Sequence, residues 1–428
     1  MRRQNSLHQF VVAAGFAIVI GSGSPAFAEE TVWTGWLGPQ RNGWVASFRP
    51  PTEWPEELEE VWQVEVGTGY GTPLVSGGRV YQHARQGDDE VLWCLDLATG
   101  ETIWHERYAA PFKIGGGGER HGKGPKSCPA LADDRVFTLS ISGLLSAWDA
   151  ETGERLWHTD FGDRFEQTHP YWGASTSPLI DQGRVIVHFG GDEQGALIAL
   201  DADSGEVVWS QGSDGASYAS PILVEIDGVR QIVELNMRAI VGVESESGEA
   251  LWEYPYPQVE TDQNMVTPAF HDGLVLQGGE NRGILALEPR LTNDGWSVEP
   301  RWHQEQVALD MSTAVINDGL LFGFSHYGFG RLFCLNPENG DVLWEGPRRT
   351  GENVTFLSVP GHVLALADNG TLQVIAADQA GYERVAMLHV AEGQTWAPPV
   401  LLESGLLVKD LDTLARWSLP TADSRRDR

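Results

Sequence analysis

Cysteine is scarce in this chain of 428 residues, where Cys94, Cys128 and Cys334 are the whole supply. Three scattered thiols make no disulfide framework, and no C-x-x-C or Cys/His cluster offers a structural zinc site. Basic residues are also few. The 29 Lys and Arg stand against 60 Asp and Glu, a formal charge of −31. Such a balance excludes the clustered cations that nucleic-acid backbones and anionic lipids require, so no nucleic-acid partner is expected. The common hydrolase signatures are missing. There is no G-x-S-x-G and no H-E-x-x-H, and His105-Glu106 leads only to Ala109 where a second histidine would stand.

Long apolar runs are absent beyond the first residues. Arg2 and Arg3, an apolar stretch from Phe10 to Ile20 and the small-residue site Ala26-Phe27-Ala28 read as a secretory signal over 1–28. The stretch falls short of the ~20 residues that span a bilayer. Cleavage near Ala28 would remove two arginines and no acid, leaving a charge of −33. The expectation is a soluble periplasmic or secreted protein with no membrane span. No cysteine stands at the cleavage site, so no lipid anchor is expected either.

What the chain does have is internal repetition. DLATGETIW (96–104), DAETGERLW (149–157), DADSGEVVW (201–209), ESESGEALW (244–252) and NPENGDVLW (336–344) are one motif, with worn copies ending at Trp302 and near Met387. A second element, a small residue often followed by Pro and a short apolar strand, precedes each copy. It appears as TPLV at 72, CPAL at 128, SPLI at 177, SPIL at 220, TPAF at 267, TAVI at 313, TFLS at 355 and APPV at 397. Eight copies, each reading as four short strands broken by Asp/Gly or Ser/Gly turns, predict an all-β, eight-bladed propeller of four-stranded antiparallel blades. The D-x-x-[TS]-G stretch faintly resembles a calcium loop, but its recurrence in each unit favours a hairpin turn. The last unit stops one strand short near Pro420, and EVWQVEV (60–66) is a strand without a unit before it. The N-terminal strand is therefore expected to complete the eighth blade and close the ring. The boundaries that follow are a segment at 29–59, a propeller at 60–420 and a polar tail at 421–428. Trp62, Trp104, Trp157, Trp209, Trp252, Trp302 and Trp344 fall on outer strands at the blade period, so packing between blades is expected of them.

In such a ring, the loop before each inner strand reaches one mouth of the central channel, where rigidly held loops commonly carry function. The eight loops offer Tyr70, Arg120, His121, Lys123, Lys126, His169, Tyr171, Trp172, Tyr218, Asp262, Gln263, Asn264, Asp310, Glu352, Asn353 and Trp396. They either bind a ligand or partner or fill and solvate the mouth. The longest, GGGGERHGKGPK (115–126), comes within one residue of a phosphate loop, from Gly117 to Gly122-Lys123. It lacks the Ser/Thr that would hold Mg²⁺ and is followed by strand rather than helix, which sets the nucleotide reading aside. Its cations either pair with Asp262, Asp310 and Glu352 or hold an anionic ligand or partner carboxylate.

The repeat [DN]-x-x-[TSN]-G-[ED]-x-[LIV]-W resembles that of the pyrroloquinoline-quinone (PQQ) repeat propellers, which include the quinoprotein dehydrogenases and the BamB-like outer-membrane assembly proteins. WTGWLGPQRNGW (33–44) is similar to the opening segment of PQQ-like repeat proteins. The resemblance implies the propeller fold over nearly the whole chain after residue 28, but not one activity. Quinoprotein dehydrogenases hold PQQ on a tryptophan under a disulfide of adjacent cysteines, with a Ca²⁺ bound by Glu, Asn and Asp. No adjacent cysteines exist here, although Trp172 or Trp396 would offer a stacking face and Asp262, Asn264, Asp310, Glu352 and Asn353 hard oxygen ligands. The BamB-like members imply a non-catalytic scaffold that binds a partner protein in the cell envelope through its funnel loops, with no cofactor. That role is the leading expectation. A PQQ- and calcium-dependent alcohol or sugar dehydrogenase is the alternative, and a binder of a small anionic or carbohydrate ligand is the third reading.

Overall fold

Each repeat's two middle segments are almost wholly apolar while its last segment alternates, which suits a sheet covered on both faces at its centre and wet at its rim. A computed structural model describes residues 32–114, 119–165, 172–259 and 263–419. The expected export signal (1–28) and polar tail (421–428) lie outside these residues. The described chain folds as eight four-stranded antiparallel sheets in a propeller. In blade 1 the strands are Leu74–Ser76, Arg79–Gln86, Asp89–Asp96 and Thr102–Ala109, from the channel outward. The last blade combines Val400–Leu402, Gly405–Lys409 and Thr413–Ser418 with Glu59–Glu65 from the other end of the chain. Gln63 lies opposite Ala415 and Val64 opposite Leu414, so the ring closes through the N-terminal strand as its sequence implied. Lys409, buried at this seam, donates from Nζ to the carbonyls of Asp410 (2.6 Å) and Leu411 (2.9 Å) in its own blade and approaches Gly69 (3.5 Å) of blade 1.

The repeat motif serves two bonds at once. Within its hairpin, Asp149 Oδ1 accepts from the backbone N–H groups of Glu151 (3.0 Å) and Thr152 (2.7 Å) and from the Thr152 hydroxyl (2.8 Å). Asp96 and Asp201 do the same in blades 1 and 3. One carboxylate oxygen is thus used by the turn, as a hairpin role requires. The motif glycine then receives the tryptophan of the preceding blade. A Cβ at Gly153, whose φ is +80°, would lie 2.8 Å from Trp104, and one at Gly205, with φ +73°, 2.7 Å from Trp157. The indole N–H groups of Trp62, Trp157 and Trp302 each donate at 3.0 Å to the next blade's turn, to Leu97, Ala202 and Pro337. Blade 5 lacks the motif and has instead a long hairpin, Ile284–Thr292 with Gly295–Gln304. Trp252, which would dock there, donates to Gln231 of its own blade at 2.8 Å.

Residues 33–45 have a role that sequence reasoning did not assign. Trp33 exchanges backbone bonds with Val75 of blade 1 (2.8 and 2.9 Å), and Thr34 accepts from Leu131 of blade 2 (2.8 Å). The Arg41 guanidinium reaches the carbonyls of Ser177 (3.1 Å), Pro178 (2.8 Å) and Pro221 (3.2 Å) in blades 3 and 4. Gly43 and Val45 pair with Ser358 of blade 7 at 2.8 Å each. The segment meets the inner strands beyond their loop ends, so it plugs the channel beneath the mouth. The channel becomes a cup whose floor includes Trp36 and Leu37.

Candidate functional site

The recurring small residue before each inner strand builds the wall of this cup. The backbone N–H of Cys128 donates to the Ser177 hydroxyl (3.1 Å), that of Ser177 to Ser220 (3.0 Å) and that of Ser220 to Thr267 (2.9 Å). Thr72 begins the series by donating to the Cys128 sulfur at 3.1 Å. Each rung joins one blade to the next, which explains why the repeat keeps a small Ser, Thr or Cys at that place. Cys128 is one rung of this ladder, and all three cysteines are free and buried.

Above the wall, the loop that sequence reasoning singled out arches inward. Gly124 allows a close approach, since a Cβ there would lie 2.5 Å from the Thr68 backbone, and Pro125 accepts from the Tyr70 N–H at 2.8 Å. Residues 115–118 lie outside the described part. The loop's cations separate in role. Lys126 turns inward and donates to its own loop's carbonyls, at His121 (2.9 Å), Gly122 (3.0 Å) and Gly124 (3.2 Å), with its ammonium 4.5 Å from the centre of the Tyr70 ring. Burial pushes its pKa down to about 7 although Glu90 pulls it upward. Arg120 and Glu352 approach to 4.0 Å in solvent, an exposed pair worth at most about 1 kcal/mol. Lys123 is exposed.

His121 is the hub of the mouth. Arg120 Nε donates to its Nε2 at 3.1 Å, so Nδ1 carries the ring proton and donates to the Tyr70 hydroxyl oxygen at 3.2 Å. Burial, then Arg120 and Lys126, push its pKa down to about 4, so the ring is neutral near pH 7. Aromatic rings surround it. Trp396 stacks on Tyr70 with centroids 5.3 Å apart, Trp172 lies 4.9 Å from Tyr218, and His121 meets both indoles edge-on at 5.4 and 5.2 Å. The indole Nε1 atoms of Trp172 and Trp396 are buried without a hydrogen-bond partner among the described residues. The cup, open mouth included, encloses about 1020 Å³.

Of the predicted residues, Tyr70, His121, Lys126, Trp172, Tyr218, Asn353 and Trp396 line this cup together. Other candidates hold the scaffold. Asn264 donates to the carbonyls of Asn236 (2.8 Å) and Tyr256 (3.3 Å) and accepts from Arg282 (3.2 Å). Asn353 accepts from the Ser312 hydroxyl at 2.7 Å, and Gln263 is buried. Asp310 lies 3.9 Å from His326. His169, Tyr171 and Asp262 lie outside the described residues. Sequence reasoning missed the floor and also Phe329, a 76% exposed side chain with φ +70°. The rim residue Arg349 donates its N–H to the Phe329 carbonyl at 3.0 Å, which places this aromatic on the mouth face. The aromatic-glycine stretch HYGFG (326–330) was the available sign.

Calcium-bound PQQ needs hard oxygen ligands brought together at one point. Among those described, no three His, Cys, Asp or Glu side chains converge on a metal position. Asn264 and Asn353 are occupied by bonds within the scaffold, and no two cysteines are adjacent. Among the described residues, which do not include Asp262, the side chains do not fit that group.

Comparison with known proteins then separates fold from activity. The model of the family described as outer membrane protein assembly factor BamB matches residues 55–114 and 88–346. The chain is 22% identical to the BamB of Shewanella oneidensis, over 82% of this chain and 86% of that one. It is 23% identical to that of Yersinia pestis, over 69% and 74%. A quinohemoprotein alcohol dehydrogenase of Pseudomonas putida is 29% identical, but over only 36% of this chain and 21% of its own length. The solved structures of Moraxella catarrhalis BamB (TM-score 0.60, 15% identity, 84% of this chain and 97% of that one) and of a Comamonas testosteroni quinohemoprotein alcohol dehydrogenase (0.64, 15%, 90% and 80%) share the fold. With that model matched over residues 55–346, the chain belongs to the PQQ-like β-propeller family whose model is that of the BamB assembly factors.

Proposed function

We propose that this protein is a non-catalytic binding propeller of the cell envelope, which receives a partner protein on its mouth face. The observation that carries this reading is the division of labour at the mouth. The amide and ammonium groups suited to chemistry hold the loops, while aromatic surface faces outward at Phe329 and inward at Trp172 and Trp396. An exposed aromatic beside a rigid, aromatic-lined depression is the composition of a binding anchor. The relatives named as outer-membrane assembly factors support a partner bound for the outer membrane. A photocrosslinking residue placed at Phe329 in the native host should yield a discrete protein adduct, and one at Asp318, in the hairpin on the opposite face, should not. Equal adducts from both faces would sink this reading. So would turnover of alcohols or sugars with dye reduction after incubation with PQQ and Ca²⁺, because that outcome belongs to the dehydrogenase alternative.

A further inference from the structure

Two buried histidines occupy the same place in different blades. His83 in Arg79–Gln86 of blade 1 and His188 in Arg184–Phe189 of blade 3 each stand two residues past the partner of Leu74 or Leu179. Their hydrogen bonds differ in kind. His83 Nε2 meets the Tyr108 hydroxyl at 2.7 Å, and a hydroxyl can both donate and accept. Tyr108 donates onward to Glu90 at 2.7 Å, so one ring proton on His83 completes that set.

His188 meets acceptors on both sides. Its Nδ1 lies 2.8 Å from Glu234 Oε2 of blade 4, and its Nε2 lies 2.9 Å from the Asp214 carbonyl oxygen. A neutral imidazole has only one N–H to give. Making both bonds therefore takes two protons on the pair. Either both ring nitrogens are protonated, or Nε2 and the Glu234 carboxyl hold one each. Loss of one leaves two acceptors face to face at hydrogen-bond distance. Both side chains are buried, which withholds the water that would relieve such a mismatch.

Among the described residues, the charges around the pair are mostly acidic. Asp214 arrives on the loop from blade 3, and Asp192 and Glu193 stand on the turn after Phe189. Arg238, on the turn after Leu235, approaches Asp192 (3.4 Å) and Asp214 (3.6 Å). Arg164, whose carbonyl accepts from Gly191, lays its guanidinium 5.4 Å from the Phe161 ring. Asp181, Arg184, Asp201, Glu225 and Arg230 lie toward the other ends of the strands packed here, away from the mouth. Burial alone would push the His188 pKa down, but Glu234 and the Asp214 carbonyl beside it raise it above the ordinary value.

The loop that His188 holds belongs to the mouth. Just after Asp214, Ala216 donates its N–H to Gly190 (2.8 Å) and Tyr218 to Asn264 (2.9 Å). Tyr218 then lines the cup beside Trp172. We propose that His188 and Glu234 form a pH-sensitive clasp between blades 3 and 4, which fixes the Asp214–Tyr218 loop and loosens it when the pair gives up a proton at alkaline pH. The inference concerns the wall of the mouth, whatever the mouth binds. With the folded pKa raised, the clasp contributes in full below the unfolded value of 6.5 and is lost as pH rises through the folded one. Glu234→Gln uncouples it from pH, because the amide N–H donates to Nδ1 while a neutral ring still donates from Nε2 to Asp214.

The test is amide hydrogen exchange of the full chain at pH 6.5 and 9.5, read by mass spectrometry and corrected for intrinsic rates. In the wild type, residues 214–218 should lose protection by about fivefold or more at the higher pH. Residues 350–354, the corresponding loop of blade 7, should not. Glu234→Gln should keep the protection of 214–218 alike at both pH values. Proton NMR of the wild type with nitrogen-15 in its histidine rings should show a far-downfield Nδ1 proton at pH 6.5 that is lost by pH 9.5. If Glu234→Gln fails to fold, the wild-type exchange and NMR titrations decide alone. Equal losses in wild type and variant, no loss in the wild type, or a downfield proton unchanged at pH 9.5 would overturn the proposal. The Phe329 adduct on blade 6 is read apart from this joint, so its persistence would leave the binding-propeller reading standing.

Discussion

Lys126 and His121 show what one residue's surroundings do to a charge. In sequence, Arg120, His121, Lys123 and Lys126 form one basic cluster. In the fold, Lys126 is internal, Arg120 and Lys123 face solvent, and His121 is buried and neutral. Spacing along a loop carries no record of which side chain turns inward, so this sorting was not legible beforehand. The neutral state of His121 has a pH consequence. Its folded pKa of about 4 lies below the unfolded value of 6.5, so between these limits the unfolded chain takes a proton that the native ring refuses. Native stability should therefore fall as pH drops from about 6.5 to 4. His121→Gln cannot titrate. The melting-temperature advantage of the wild type over this variant should shrink steadily between pH 7 and 4.5, measured by circular dichroism at matched ionic strength. A constant difference would show that the histidine titrates alike in both states.

At the scale of the hairpin, the repeat was legible because each copy must satisfy the same two demands, a turn closed by the side-chain oxygen of Asp, Glu or Asn and a glycine floor for the neighbouring indole. The demands are separable by mutation. Gly153 and Gly183 both have positive φ, +80° and +74°, but only Gly153 has an indole within 4 Å of the Cβ position. Gly183→Ala should cost about 1 kcal/mol for its left-handed backbone. Gly153→Ala should cost about 2–4 kcal/mol, since it adds an overpacked contact to the same backbone term. Urea unfolding of the two variants measures the difference, and equal costs would refute the glycine-floor account. The cup's wall was half legible. The recurring small residue before each inner strand, Ser, Thr or Cys in all copies but Ala397, was visible as a pattern, but its cause, an N–H rung to the next blade, joins residues more than forty positions apart. The plug was not legible. WTGWLGPQRNGW has no periodicity of its own, and Arg41 makes sense only against carbonyls from two blades that lie far along the chain.

For the whole molecule, the seam between Glu59–Glu65 and Thr413–Ser418 decides whether the last blade has its outer strand. A chain beginning at Val66 would keep Thr413–Ser418 paired to Gly405–Lys409 but leave its outward edge, meant for Glu59–Glu65, open to another copy. Such a truncation should unfold at lower urea and self-associate, detected as dimers or larger species by light scattering, while the full ring stays at one mass. An unchanged midpoint and mass would mean that the seam adds nothing to stability. The same seam imposes an order in time. The strand that finishes the ring and the plug that floors the cup are made by the ribosome before any blade exists. The closing strand's partners in the last blade come some 350 residues later, at positions such as Thr413 opposite Glu65. At roughly 5–20 residues per second, the early segment waits tens of seconds beside a growing, unclosed array. Slow, long-range closure of this kind favours a cell that keeps the emerging chain shielded until its final strand is available.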